Sequence, residues 1–388
     1  MSPRGKTPAS FLRHAADVAS FYGFRPVKEV EREHLSMSDT KPTSRRTMGN
    51  LYSFASAAAI CGQRAHMRPQ EPVLAFYATP SPAHTPSTIP SRESGEFGLQ
   101  VVGTAESVGE IVILKTITTI AREWGLTIAR VRINALGDKD SQLRFLRELS
   151  VHIRKHIERL PEAERKTILG DPFLLYRMRE DVVREILAEG PRPMHFLSER
   201  SRGHFRSVLE HLEHLGLPYE LDDLLAGDER GPHISFALDF DDSDTTVFAA
   251  IGGRFDEYFK RETRRKDSSG VGASIFFRKK GAGRQHFTMQ PVVRKPKIYF
   301  AQLGLRAKLQ GLTVVDMLRS ANIPVLQSFD ANRLSLQLAT AQQLGVSHLL
   351  IMGQREALDG TVIVRSTRNS AQNIIAITEV PRFLKTLR

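Results

Sequence analysis

This sequence has very little cysteine and tryptophan and no long apolar run. The shortage of cysteine and the lack of long apolar runs exclude disulfide-framed and membrane-spanning proteins. The chain has one cysteine, Cys61, and one tryptophan among its 388 residues. A single cysteine cannot form an intramolecular disulfide or a multi-thiolate zinc site, which excludes a disulfide-framed secreted protein. The apolar runs fall far short of the ~20 residues that cross a bilayer, and the N-terminus lacks a signal-peptide core. We therefore expect a cytoplasmic protein.

Acidic residues are too few to balance the basic ones, and the excess is unevenly distributed. The chain has 55 Lys and Arg against 43 Asp and Glu, a net charge of +12. Residues 96–253 carry 20 basic and 27 acidic residues, whereas 254–295 carry 12 and 4, and 296–388 carry 11 and 5. Clustered Lys and Arg neutralise phosphates and release counterions, so the two basic segments favour a nucleic acid as partner. A solvated basic face is the alternative interpretation.

Hydrophobic periodicity and composition divide the chain into two domains. Residues 1–280 carry predicted strands and helices in irregular order, with a predicted helical insertion at about 138–197. The polar, glycine-containing segment 281–295 predicts a linker. From 296 to 388 strand and helix alternate, which predicts a small α/β domain with a mostly parallel sheet. The predicted fold is therefore an α+β core followed by a small α/β domain.

Residue spacing alone identifies no chemistry in this chain. His152 and His156 lie four residues apart on a predicted helix but lack the glutamate of the zinc-protease pattern, so no metal site is predicted. The run Gly270-Val271-Gly272 lacks both the Walker lysine and a βαβ context, so it does not predict a phosphate loop. Composition and spacing indicate a basic two-domain protein with nucleic acid as one candidate partner.

Several segments, taken in order, resemble histidyl-tRNA synthetases, which are class II aminoacyl-tRNA synthetases. They are residues 133–137, 199–205 and 215–221, the run Gly252-Gly253-Arg254-Phe255-Asp256, and the tail 297–388. The resemblance covers nearly the whole chain. It implies a class II core with an antiparallel sheet and helices over 1–280, an anticodon-binding-like domain over 296–388, a homodimer, and tRNA or another structured RNA as partner.

The catalytic positions depart from what the resemblance implies. The family's motif 2 arginine, which holds the α-phosphate of ATP where negative charge develops, falls at about Ala83 in a proline-rich loop. Motif 3 ends in Gly-Leu-Glu-Arg in the family, whereas this chain has Phe276-Phe277-Arg278-Lys279. We expect the bulky Phe277 to lie near the space that ATP would occupy. The resemblance therefore implies a catalytically degenerate paralogue, and no residue is assigned a catalytic role.

Five residues remain as matches to the family's substrate pocket. Glu96 and Gln100 match a Gln and a Glu that bind the amino group of histidine in the family, with the two residue types exchanged. Arg230 is the remnant of an Arg-Gly-Leu-Asp-Tyr-Tyr motif, and Lys279 belongs to the altered motif 3. Arg254 of Gly-Gly-Arg is the best preserved, and it either serves the pocket or holds the turn before the following helix.

The basic excess of the C-terminal domain provides the candidate RNA contacts. We expect them to hold phosphates and not to read bases. They are Arg306, Lys308, Arg333, Arg355, Arg365 and Arg368.

Two other functions stay open at this point. A functional histidine–tRNA ligase would need Arg92, Arg254 or Lys279 to replace the missing arginines, and only in that case are ATP and magnesium expected as cofactors. A histidine-sensing regulatory subunit similar to that of ATP phosphoribosyltransferase would bind a catalytic subunit and no tRNA. The anticodon-binding-like domain argues against this regulator, which usually lacks it.

Overall fold

The structure, a computed structural model, describes residues 7–27, 72–79, 94–178, 180–225, 232–241, 247–263, 266–278, 297–327, 333–369 and 371–387. Within these ranges the chain forms a large sheet with helices on one face, a helical layer beside it, and a smaller sheet with its own helices. The linker predicted at 281–295 lies outside the described residues.

The large sheet has eight strands in the order β1-β2-β3-β8-β7-β6-β4-β5. The outermost pairs, β1 with β2 and β4 with β5, are parallel, and the pairs between them are antiparallel. This antiparallel centre confirms the predicted α+β core. The strands are β1 (Arg25–Pro26), β2 (Val73–Thr79), β3 (Ser94–Val102), β4 (Ile128–Ala135), β5 (Glu220–Leu221), β6 (Ile234–Phe240), β7 (Val247–Arg254) and β8 (Gly270–Arg278).

Helices cover one face of this sheet because alternate strand residues point to opposite faces. Phe97, Leu99 and Val101 of β3 share one buried core with residues of α1, α2 and α6. Gly125, with φ 78°, ends α2 in the left-handed conformation that glycine adopts without strain. The helices up to this sheet's last strand are α1 (Pro8–Phe21), α2 (Val108–Trp124), α3 (Lys139–Lys155), α4 (Glu162–Gly170), α5 (Asp181–Ala188), α6 (Glu199–His214) and α7 (Asp256–Thr263).

The helical layer of α3, α4 and α5 has a hydrophobic core of its own, which includes Phe145, Leu149 and Ile186. Asp138 joins this layer to α6. Its carboxylate accepts hydrogen bonds from the Ser141 backbone N–H at 3.0 Å, which caps α3, and from Ser198 Oγ at 2.7 Å. The layer occupies the stretch in which the sequence predicts a helical insertion.

The C-terminal sheet has five strands in the order β10-β9-β11-β12-β13. β10, β9 and β11 are parallel, whereas β12 and β13 are antiparallel to their neighbours, so the expectation of a mostly parallel sheet holds for one half only. The elements are β9 (Ile298–Gln302), α8 (Leu305–Ser320), β10 (Leu326–Gln327), α9 (Leu334–Gln343), β11 (His348–Met352), α10 (Gln354–Asp359), β12 (Thr361–Ser366), β13 (Gln372–Ala376) and α11 (Val380–Thr386).

Helix α8 attaches this domain to the core. The carboxylate of Asp316 accepts a hydrogen bond from the Tyr22 hydroxyl on the chain just after α1 and lies 2.5 Å from Lys115 Nζ on α2. Arg319 donates to Glu123 at 2.8 Å and to Asp17 at 3.1 Å. Apolar residues of α8 and of the large sheet's helices also belong to one continuous core.

Candidate functional site

The face of the large sheet that points away from α1 and α2 carries Glu96, one of the predicted pocket residues. Glu96 is buried, and its Oε1 accepts hydrogen bonds from the Tyr77 hydroxyl and from Ser274 Oγ, the latter at 2.5 Å. The Tyr77 ring lies over Gly98, where any Cβ would overlap it. Gly98 is therefore needed for the close approach that brings the hydroxyl to the carboxylate.

Gln100 belongs to a row of residues that crosses five strands on the same face. The register places Gln100 beside Gly272, Gly272 beside Gly253, Gly253 beside Ser235, and Ser235 beside Asn134. Gln100 is 2% exposed, and neither polar atom of its amide has a hydrogen-bond partner within the part of the chain that the structure describes. The same holds for the buried Ser235 Oγ. Buried polar groups are normally bonded, so this row is where a polar ligand would meet the sheet.

Arg254 lies at the end of β7 and points to the helix side, where it is 1% exposed. Its Nε and Nη2 donate to the two carboxylate oxygens of Glu110, at 2.7 and 2.8 Å. The remaining donors reach the carbonyl oxygens of Thr104 and Glu106, both at 3.0 Å, and Asp256 Oδ1 at 3.1 Å. A guanidinium has five N–H donors, and all five are used within the protein. The geometry supports the structural interpretation of Arg254.

Glu110 is the carboxylate that this arrangement keeps ionised. Burial acts to raise its pKa, but the charge and hydrogen bonds of Arg254, and after them those of His204, lower the pKa of Glu110 to about 2. His204 Nε2 on α6 lies 2.7 Å from Glu110 Oε1. Asp256 extends the network by accepting a hydrogen bond from the Gly270 N–H at 3.1 Å. These contacts tie α2, α6, β7 and the start of β8 together.

The described strands offer few cations that could hold the phosphates of ATP on the sheet face that carries Glu96 and Gln100. Arg130 and Arg132 of β4 both donate to Asp239, at 2.6 and 2.9 Å. Arg132 also donates to Asp222 at 2.8 Å. Arg278 lies exposed at the end of β8. The described residues therefore do not build a site that fits a triphosphate.

The structure corrects the expected position of Phe277. Its ring is buried on the helix side, 5.4 Å from the ring of Phe11, and packs over Gly95. Phe276, which the register pairs with Glu96, lies on the face that carries Glu96 instead. Strand parity decides this, because neighbouring residues of a strand point to opposite faces. Phe276, not Phe277, is the bulky residue beside the predicted pocket.

Other sequence predictions fall outside the described residues. These are the pocket candidates Arg230 and Lys279, the replacement candidate Arg92, and Ala83 at the position of the missing arginine.

Lys308 is misplaced as an RNA contact. Its side chain is 5% exposed, and its Nζ lies 3.8 Å from Glu106 of the core. It belongs to the junction between the C-terminal domain and the core, where a phosphate does not reach it. The sequence could not indicate this, because Glu106 is about 200 residues away along the chain.

The other five RNA candidates are divided between two opposite edges of the C-terminal sheet. Arg306 and Arg355 follow the carboxyl ends of the parallel strands β9 and β11, and Arg333 begins α9 on that side. β12 runs antiparallel to β11, so Arg365 pairs with Leu349 near the amino end of β11, and Arg368 lies beyond Ser366, which pairs with His348. Arg365 is half-buried and the other four are exposed. The structure therefore brings the predicted contacts together as two groups.

Sequence reasoning missed two residues at the amino edge, Lys297 and His348. Lys297 immediately precedes β9, and the first residue of that strand pairs with His348 at the start of β11. A histidine at the first position of an apolar strand, with a lysine immediately before the neighbouring strand, was the available signal.

Metal ligands are not assembled in the parts of the chain that the structure describes, where no group of three His, Cys, Asp or Glu side chains could hold an ion. The rings of His152 and His156 are 4.6 Å apart, and His152 Nε2 lies 2.8 Å from the carbonyl oxygen of Ile186. Nor is any described helix long and apolar enough to span a bilayer.

Comparison with known proteins extends over both domains. A family model described as "anticodon binding domain" matches residues 304–387. The histidine–tRNA ligase of Bacillus velezensis is 24% identical over 364 residues, which cover 92% of this chain and 85% of the relative. That of Geobacillus thermodenitrificans is 23% identical over 393 residues, covering 95% and 92%. Among solved structures, the apo histidyl-tRNA synthetase of S. aureus has a TM-score of 0.49 at 17% identity, covering 99% of this chain and 98% of that one.

Proposed function

The chain belongs to the histidyl-tRNA synthetase-like family, and within it we propose a protein that binds tRNA or another structured RNA without aminoacylating it. RNA binding is supported by the match of residues 304–387 to an anticodon-binding domain. It is supported further by the +6 charge of residues 296–388 and by the exposed arginines at both edges of the C-terminal sheet.

The proposed loss of catalysis is supported mainly by the hydrogen bonds of Arg254. It is the family-like arginine that this sequence preserves best, and its five donors are all bonded to protein acceptors. A guanidinium in this state has no donor left for the α-phosphate or the carboxylate of an adenylate. The motif 2 position holds Ala83, and Phe276 occupies the face beside Glu96.

The row of Gln100 and Ser235 is compatible with a small polar ligand, for which histidine is the candidate that the family suggests. Gln100 is neutral where the family has a carboxylate. We therefore expect weak binding of an amino group and no activation of the carboxyl group. ATP and magnesium are expected as cofactors only if the chain is a ligase, with Arg92 or Lys279 replacing the missing arginines.

A homodimer in the cytoplasm is the assembly and location that the resemblance and the composition suggest. Both are proposals, and both can be measured on the full chain by light scattering and by fractionation of cells.

Histidine-dependent ATP–pyrophosphate exchange, combined with tRNA binding at two salt concentrations, tests the proposal. An active histidyl-tRNA synthetase serves as the positive control for exchange. We expect no exchange above background and binding that weakens steeply as salt rises. Exchange above background would overturn the catalytic part. Absence of tRNA binding would overturn the RNA part and favour a regulatory subunit with a protein partner.

A further inference from the structure

The two edges of the C-terminal sheet differ in their acidic residues. At the carboxyl edge two of the cations have acidic neighbours: Arg355 Nε lies 3.5 Å from Asp359, and Arg382 Nη1 lies 3.8 Å from Glu379. At the amino edge, residues 344–348 and 366–372 contain no Asp or Glu, and Lys297 lies beside them. A polyanion is therefore attracted more strongly to the amino edge.

Three chain segments at the amino edge are fixed to one another by hydrogen bonds. The backbone N–H groups of Ser347 and His348 donate to the carbonyl oxygen of Lys297, at 2.8 and 3.1 Å. The Thr367 N–H donates to the carbonyl oxygen of Ser347 at 3.0 Å, and the Thr367 hydroxyl donates to that of Val346 at 2.8 Å. The cations on these segments are therefore attached to a preformed surface, which lowers the ordering cost of binding.

The hydrogen bonds also leave one nitrogen of His348 available. Ser347 Oγ donates its proton to the carbonyl oxygen of Lys297 at 3.0 Å. Its contact with His348 Nδ1, also 3.0 Å, is therefore one in which Nδ1–H donates to Ser347 Oγ. The tautomer assigned in this way leaves Nε2 as the nitrogen that gains a proton when the ring becomes charged.

We propose that Lys297, His348 and Arg368 form a site for the phosphodiester backbone of RNA at the amino edge of the C-terminal sheet, and that His348 takes up a proton when RNA binds. The proposal rests on the proposed RNA-binding function and adds the place and the proton linkage. A phosphate beside the imidazole stabilises its protonated form, because the added negative charge offsets the repulsion from Arg368.

The charged groups around His348 determine the sign of the pH dependence. Burial, and after it the charge of Arg368, lower the pKa of His348 in the free protein. Arg368 comes from the turn after β12, Lys297 from the start of β9, and Arg365 from β12 itself. Since RNA raises the pKa of His348, the affinity for RNA rises as the pH falls through the histidine range.

Two double variants of the full chain, with fluorescein-labelled bulk tRNA as the probe, test the site. Lys297→Gln/Arg368→Gln removes two cations from the amino edge, and Arg306→Gln/Arg355→Gln removes two from the carboxyl edge as the matched control. Binding is followed by anisotropy from 50 to 200 mM KCl, and Trp124 fluorescence checks folding. We expect the slope of log affinity against log salt to fall by about 1.4–1.8 for the first variant, at about 0.7–0.9 per phosphate contact. The control lowers the slope by less, because Asp359 already partly neutralises Arg355.

His348→Gln tests the proton linkage in the same assay between pH 7.5 and 5.5. The wild type gains affinity on acidification, up to about tenfold for a one-unit pKa shift, and the variant loses most of this gain. Equal losses in the two double variants, a larger loss in the control, no loss in the amino-edge variant, or an unchanged pH response in His348→Gln each overturn the proposal. A wild type that binds no tRNA instead overturns the proposed function itself.

Discussion

Arg254 and Glu110 face each other through two parallel hydrogen bonds, from Nε to Oε1 at 2.7 Å and from Nη2 to Oε2 at 2.8 Å. Neither side chain is exposed by more than 2%. The pair joins the end of β7 to the first turn of α2, so the best-preserved arginine of the family's pocket motifs holds the core together. This relationship separates a structural role from a catalytic one in a way that experiments can measure.

Replacing Arg254 with Gln should destabilise the fold strongly, because it leaves the buried Glu110 carboxylate without its cation. Breaking a buried ion pair in this way costs about 3–5 kcal/mol. Urea unfolding followed by the fluorescence of Trp124, the one tryptophan, measures the loss. The exposed Arg355→Gln is the control and should unfold as the wild type does. An Arg254→Gln variant as stable as the wild type would contradict the structural role.

Acid should weaken the fold through Glu110. Its pKa is about 2 in the folded protein and 4.5 in its ordinary state, so its contribution to stability is complete above pH 4.5. That contribution decreases as the pH falls from 4.5 towards 2. We expect the urea midpoint to drop between pH 4.5 and 3, and the drop to be smaller in Glu110→Gln. Equal pH responses in the two proteins would rule out Glu110 as the source.

Asp316→Asn should loosen the C-terminal domain from the core. The variant retains the Tyr22 contact but removes the negative charge that compensates Lys115, whose side chain is 11% exposed. Loss of this charge-assisted contact should cost about 1.5–3 kcal/mol. Calorimetry should show a lower or divided thermal transition. Asp359→Asn, at a carboxylate with a 57% exposed side chain, is the control and should leave the transition unchanged.

Lys308→Gln should change stability and leave RNA binding intact. Its ammonium lies in the junction between the domains, 3.8 Å from Glu106. We expect a loss of about 1 kcal/mol in the free energy of unfolding and an unchanged salt slope for tRNA. A salt slope reduced by about 0.7–0.9 would instead place Lys308 among the phosphate contacts.

Long periodic elements were predictable from the sequence because their signals are local. Apolar residues at helical spacing between 108 and 120 predict a helix, which is α2 (Val108–Trp124), and the apolar run 271–277 predicts a strand, which is β8 (Gly270–Arg278). The six-residue α10 and the exposed β13 escaped prediction, since both are short and neither has a clear alternation of buried and exposed residues. The family's fold was predictable from ordered motifs, which depend on many positions at once.

The roles of single charged residues were less predictable because their partners are distant in sequence. Arg254 reads equally well as a substrate arginine or a structural one until its acceptors, from positions 104 to 256, come together. From the sequence, Lys308 is predicted to be an exposed basic residue on an amphipathic helix. Only the fold shows that Glu106 lies beside it. Phe276 and Phe277 point to opposite faces because they are neighbours in a strand. The RNA candidates lie at two edges of the C-terminal sheet because β12 runs antiparallel to β11.

Helix α2 has a consequence for how such a chain can evolve. One end of the helix supplies Glu110 to the large sheet, while its middle supplies Lys115 and its other end supplies Glu123 to α8. A descendant that lost the C-terminal domain would expose Lys115, Glu123 and the apolar surface of the core that now packs against α8. Gene shortening at that point therefore requires compensating substitutions in α1 and α2 before the shortened protein can persist.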